Sequence, residues 1–98
     1  MSRIELAPEV GDDLDRIFDH LLRYDAADAP SRIGEIIQAI AVLEQSPLIG
    51  RSVYADKREL VIGRRSRVYV ALYRYVAEID TVFVLALRSQ REAGYSGT

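Results

Sequence analysis

Arginines and a late tyrosine gather in the last third of this 98-residue chain. The members are Arg64, Arg65, Arg67, Arg88, Arg91 and Tyr95. A guanidinium group can hold a phosphate or a carboxylate through two parallel hydrogen bonds, and a tyrosine can stack on a base or donate its hydroxyl proton. These residue types therefore predict a surface that contacts phosphate or an acidic partner. The alternative is that the arginines keep loops soluble or pair with the acidic first helix.

Hydrophobic spacing predicts the elements that position these residues. Polar and apolar residues alternate over 3–6, and apolar residues then recur every three or four positions over 8–24 and again from about residue 30 to Ser46. After a loop at 48–58, strands are predicted at 59–62, 68–76 and 81–87. The order predicts one α+β domain over 1–98, in which a helical hairpin packs on one face of a sheet. The strand order is left open.

Short connections between the last three strands predict an antiparallel meander. In a meander the last strand ends at the end of the sheet that holds the turn between the two strands before it. Arg64, Arg65 and Arg67 in that turn are therefore expected near Arg88 and Arg91. Three tyrosines that alternate along one strand are predicted to pack in the core rather than to form a binding platform: Tyr69, Tyr73 and Tyr75.

Several classes of function lack the residues they need. The chain has no cysteine, so disulfides and thiolate metal sites are excluded. It has no glycine-rich phosphate loop and no nucleophile elbow, and neither a metal nor a cofactor is predicted. His20 and most carboxylates of the first helix are expected on its solvated face. A net charge of −2 argues against non-specific coating of nucleic acid. The sequence has neither a signal-peptide pattern nor a membrane-length apolar run, which predicts a cytoplasmic protein with no membrane partner.

Motifs along nearly the whole chain resemble the RelE/ParE superfamily of toxins. They are IELAPE at 4–9, IFDHL at 17–21, PLIGR at 47–51, RELV at 58–61, YVALYR at 69–74 and LALR at 85–88. The resemblance implies the toxin of a bacterial type II toxin–antitoxin system, neutralised by a small antitoxin. It also implies an assembly with that antitoxin as a heterotetramer or a larger complex, with the oligomeric state open.

The two branches of the superfamily differ in their targets. RelE-like members cleave messenger RNA on the ribosome with a basic cluster and often a C-terminal tyrosine, whereas ParE-like members are linked to poisoning of DNA gyrase. Here the residues that correspond to the nuclease lysines read LVIG at 60–63, and Tyr69 is followed by Val70 instead of an arginine. General acid–base cleavage needs a proton acceptor, a proton donor and charge stabilisation. The resemblance therefore favours a non-enzymatic ParE-like gyrase inhibitor.

Two alternatives stay open. The first is a ribosome-dependent endoribonuclease, and its candidate catalytic residues are Arg64, Arg67, Arg88, Arg91 and Tyr95. The second is a repurposed member that only binds a partner. In every case an antitoxin helix or strand is expected to cover the helical hairpin and a sheet edge. Leu22, Tyr24 and Tyr54 fit the core patterns poorly and are the predicted antitoxin contacts.

Overall fold

A sheet with helices on one side forms the described part of the molecule. The computed structural model describes residues 1–64 and 67–89, and of Arg64 and Arg67 it describes only the backbone. The elements are β1 (Arg3–Leu6), α1 (Pro8–Tyr24), α2 (Ala29–Ala41), β2 (Arg51–Ser52), β3 (Lys57–Arg64), β4 (Arg67–Val76) and β5 (Thr81–Ser89). Short 3-10 turns lie at Ala26–Asp28, Val42–Glu44 and Ala77–Ile79. The predicted α+β class and helical hairpin are confirmed.

Helix α1 begins as the sequence predicts and buries one stripe. Pro8 occupies its first turn, where a missing N–H costs nothing. Val10, Ile17 and Leu21 are buried along one face, in agreement with a period of 3.6 residues. The helix ends where the N–H of Asp25 bonds the carbonyl of Leu21. None of the helices in the described residues is long and apolar enough to cross a membrane.

The sheet places the last strand between β1 and β4. Its order is β1-β5-β4-β3-β2, with β1 parallel to β5 and the other neighbours antiparallel. The predicted meander is thus present as β3, β4 and β5. Tyr69 and Tyr73 are buried on the helix-covered face, as expected. Tyr75 is half-buried, and its hydroxyl donates to Asp80 Oδ1 at 2.7 Å.

A bulge in β5 changes which residues face the core. Leu72 pairs with Ala86, but Tyr73 pairs with Val84, so Leu85 is an extra residue on β5. Buried positions along the strand therefore run Val82, Val84 and then Leu87. The bulge turns Leu87 inward and directs its backbone groups toward α1.

The segment predicted as a loop at 48–58 is partly strand. β2 pairs with Arg58 and Glu59, and β3 begins at Lys57 and continues to Arg64. The segment before β2 is held by two side chains of the sheet. Tyr73 Oη accepts from the N–H of Gly50 at 2.9 Å, and Arg58 Nη1 donates to the carbonyl of Gly50 at 2.7 Å. This loop is fixed because two side chains of the sheet, one buried and one half-buried, satisfy its backbone.

Candidate functional site

The turn between β3 and β4 and the end of β5 lie at the same end of the sheet. Arg64 pairs with Arg67 across that turn, and Arg88 of β5 pairs with Val70 of β4. Arg88 therefore lies opposite the residue that is three positions after Arg67 on β4. The backbone brings together the strand ends that carry the predicted arginines. Arg65, Arg91 and Tyr95 lie outside the described residues, as do the side chains of Arg64 and Arg67.

Arg88 contacts a carboxylate of the first helix, where most carboxylates were expected on the solvated face. Asp13 of α1 is buried, with only 5% of its surface exposed. Its Oδ2 lies 2.9 Å from Arg88 Nη1, and its Oδ1 lies 2.7 Å from Arg16 Nη1. Asp13 is an exception to that expectation because it lies on the apolar stripe, three residues after Val10 and four before Ile17. That spacing is the signal by which the sequence could have revealed it.

The same cluster binds the backbone of Leu87. The N–H of Leu87 donates to Asp13 Oδ2 at 2.9 Å. The carbonyl of Leu87 accepts from Arg16 Nη2 at 3.2 Å and from Arg88 Nη1 at 2.9 Å. We refer to Asp13, Arg16, Arg88 and the backbone of Leu87 as the α1–β5 clamp. It connects the first helix to the strand end from which the chain continues toward Arg91.

The electrostatics of the clamp keep its carboxylate ionised. Burial by itself raises the pKa of Asp13, but the hydrogen bonds from Arg16 and from the Leu87 N–H, together with the charge of Arg88, outweigh it. The pKa of Asp13 is therefore lowered from its ordinary value. Both guanidinium groups are roughly half exposed, at 42% and 44% of their side chains. Two guanidinium groups therefore share one buried carboxylate.

Other cations near the sheet also have carboxylate or backbone partners. Arg51 Nη2 lies 2.9 Å from Glu59 Oε1, and Arg74 Nε lies 3.1 Å from Asp56 Oδ2. Within the described ranges no three His, Asp or Glu side chains are arranged to hold a metal ion. His20 is exposed, as expected, and its ring lies 4.7 Å from that of Tyr24.

The predicted antitoxin contacts are all exposed to solvent. Leu22 and Tyr24 at the end of α1 are 46% and 73% exposed, and Tyr54, in the connection between β2 and β3, is 61% exposed. Exposed large apolar side chains are suited to contact a partner. A second feature lies in β3. Because β2 pairs only with Arg58 and Glu59, the outer edge of β3 from Leu60 to Arg64 has no strand partner in the part of the chain described.

Several solved structures similar to this chain come from toxin–antitoxin systems. The chain is similar to the chromosomal ParDE TA system from P. aeruginosa, with a TM-score of 0.78 and 20% identity over 91% of this chain and 96% of that one. It is also similar to the RelBE2 toxin–antitoxin complex from Mycobacterium tuberculosis, with a TM-score of 0.66 and 19% identity over 90% and 96%. The intact E. coli RelBE toxin–antitoxin complex is similar as well, with a TM-score of 0.63 and 13% identity over 89% of this chain and 94% of that one. These likenesses define a RelE/ParE-type fold.

The family follows from the sequence itself. Residues 4–94 match the model described as the ParE toxin of the type II toxin–antitoxin system, parDE. No curated protein matches the chain. Since the family model covers most of the chain, the protein belongs to the ParE toxin family and is a type II toxin. The toxin family, the type II class and the ParE-like branch that the resemblance implied are confirmed.

Proposed function

We propose that this toxin acts in the cytoplasm by inhibiting DNA gyrase, and that a cognate antitoxin neutralises it. The observation that supports the proposal is that β3 carries apolar side chains next to its turn with β4, where the arginines lie in the sequence. Ile62 is buried and Leu60 is half-buried on the helix-covered face, while Val61 is 52% exposed on the other face. No side chain at these positions can donate or accept a proton. An inhibitor that binds its target needs no such group.

The arginines at the sheet end fit a binding role. A guanidinium group holds carboxylates and phosphates in fixed geometry but does not act as a base at ordinary pH. We infer that the surface formed by Arg64, Arg65, Arg67, Arg91 and Tyr95, with Arg88 at its base, engages the gyrase complex. The hydrogen bonds of these donors could be accepted by an acidic surface of gyrase or by the phosphates of the DNA that gyrase holds. Neither source requires cleavage by the toxin.

A supercoiling assay tests the target. Purified toxin added to gyrase, ATP and relaxed plasmid is expected to reduce supercoiling and to trap linear cleaved plasmid, and prior mixing with the antitoxin should prevent both. The triple variant Arg64→Ala/Arg65→Ala/Arg67→Ala is expected to inhibit roughly tenfold less, since losing several charge-assisted contacts exceeds 1.4 kcal/mol. Arg3→Ala is the control because Arg3 lies on β1 with a distant partner, Glu5, at 3.9 Å.

Three results would count against gyrase as the target. Unchanged supercoiling without trapped plasmid excludes gyrase as the site of action. Cleavage of messenger RNA in programmed ribosomes, lost when Arg91→Ala is combined with Tyr95→Phe, would instead support the endoribonuclease alternative. Growth arrest without either activity would point to another target.

The antitoxin is proposed to cover the exposed apolar side chains and the outer edge of β3, which has no strand partner among the described residues. An extended antitoxin segment can bond the open edge of a strand, and an amphipathic helix can bury Leu22 and Tyr24. We expect Tyr24→Ala and Tyr54→Ala each to weaken antitoxin binding by about 1–2 kcal/mol in calorimetric titration. Ile79→Ala is the matched control, since Ile79 is 60% exposed in the turn between β4 and β5. Equal affinities for the three variants would place the antitoxin elsewhere, and the mass of the complex tests the heterotetramer.

A further inference from the structure

The α1–β5 clamp takes the place of a strand partner for β5. β1 ends at Leu6, which pairs with Val84, so the following part of β5 continues beyond its parallel neighbour. There Asp13 Oδ2 accepts from the N–H of Leu87 at 2.9 Å and Arg16 Nη2 donates to its carbonyl at 3.2 Å. Two side chains of a helix thus supply the acceptor and the donor that a neighbouring strand would supply. This fixes the backbone of β5 close to its end.

Arg88 completes the clamp and is itself held by it. Its Nη1 lies 2.9 Å from Asp13 Oδ2 and 2.9 Å from the carbonyl oxygen of Leu87. The carboxylate that it contacts is buried and ionised, so the pair has a fixed geometry. To bind an external anion through Nη1, Arg88 would have to give up its contact with Asp13, and the buried carboxylate would then have one fewer cation beside it. Removing a partner from a buried charge is costly.

We propose that Asp13 and Arg88 are positioning residues that fix the end of β5, from which the chain continues toward Arg91 and Tyr95, and that Nη1 of Arg88 serves this contact rather than the target. This inference depends on the proposed function in one respect, which is that Arg91 and Tyr95 contact the target. A segment that leaves a fixed strand end searches fewer arrangements, so binding costs less entropy. The sequence analysis grouped Arg88 with the contacts because a sequence does not show which arginines have internal partners.

Asp13→Asn gives opposite results under the two roles of Arg88. The amide oxygen of asparagine can still accept from the N–H of Leu87, but the charge that holds Arg88 is gone. If Arg88 positions the segment, the toxin loses potency, and we expect a decrease on the order of tenfold. If Arg88 contacts the target, releasing its charge leaves potency unchanged or raises it. Potency is read as growth arrest per amount of soluble toxin after induction, and also as half-inhibition of gyrase.

A double-mutant cycle provides the second measurement. Arg88→Ala should reduce potency in the wild-type background and have little further effect in the Asp13→Asn background, because both changes break the same contact. An Arg88→Ala effect of equal size in both backgrounds would overturn the proposal. If Asp13→Asn does not fold, Asp13→Glu replaces it. That change keeps the charge but lengthens the side chain, so lower potency supports positioning and unchanged potency contradicts it.

Controls separate positioning from loss of fold and from a wrong target. Each variant is assayed well below its unfolding midpoint and must retain wild-type affinity for the antitoxin. Asp12→Asn, at the exposed neighbouring position of α1, is the matched control and should retain full potency. Growth arrest does not depend on which target is hit. If gyrase is unaffected while growth arrest persists, the proposed target fails, and the ranking of variants by growth arrest still decides the role of Arg88.

Discussion

Replacing Gly50 with alanine is expected to lower the free energy of unfolding by about 3 kcal/mol. A Cβ atom at this position would lie 2.7 Å from both Cε1 and Oη of Tyr73 and 2.8 Å from the carbonyl oxygen of Glu59. Tyr73 is fully buried and Glu59 O belongs to the backbone of β3, so neither can easily move away. Any shift that relieves the clash also weakens the bond between Gly50 N and Tyr73 Oη. Urea unfolding at neutral pH measures the change.

Gly34→Ala is the matched control for this substitution. Gly34 lies in the interior of α2, and an added Cβ would meet nothing within 4 Å. Alanine is the better helix former by about 1 kcal/mol, so this variant should be more stable than the wild type by a similar amount. The two glycine-to-alanine changes therefore have opposite signs. A stability loss below 1 kcal/mol for Gly50→Ala would show that the loop is not held as tightly as the contacts indicate.

The sequence predicts the helices and the meander well because their burial is periodic. One stripe of α1 and one face of β4 bury their apolar residues at regular spacing, which is visible without knowledge of the partner elements. Gly50 illustrates what the pattern leaves out. It lies in the PLIGR motif that resembles the toxin superfamily, yet only the structure shows that its missing side chain makes room for Tyr73.

Features that depend on long-range pairing could not be predicted. β2 has two residues and exists only because Arg51 and Ser52 reach β3. The bulge at Leu85 is set by the register between β4 and β5, which a sequence of continuous apolar residues does not specify.

The candidate site was predicted in part for the same reason. The meander places the two arginine-bearing strand ends at one end of the sheet, so topology alone predicts their proximity. It does not predict that α1 supplies a buried carboxylate to one of them. Asp13 is separated from Leu87 by 74 positions, and their contact follows from how the helix packs on β5. The target-binding roles of the candidate residues stay predictions, and these residues are Arg64, Arg65, Arg67, Arg88, Arg91 and Tyr95.

Replacing Asp13 with alanine is expected to lower the free energy of unfolding by about 2 kcal/mol at pH 7. The change leaves the N–H of Leu87 without its acceptor and two guanidinium groups without their shared carboxylate. Breaking a fully buried ion pair costs more, but Arg16 and Arg88 are each more than a third exposed, and solvent screens part of their interaction. Urea unfolding of both proteins over a series of pH values measures the difference.

The difference in the free energy of unfolding between the wild type and Asp13→Ala should become smaller in acid. Folding lowers the pKa of Asp13 below its ordinary value of 3.8, because the contacts with Arg16, Leu87 and Arg88 outweigh the opposing effect of burial. The carboxylate therefore contributes its full stability above about pH 3.8 and loses it as the pH falls through the lower value of the folded state. Wild type and Asp13→Ala should approach each other in stability below that pH. A difference that stays constant from neutral pH into strong acid would mean that packing, rather than the charge of Asp13, stabilises the contact between α1 and β5.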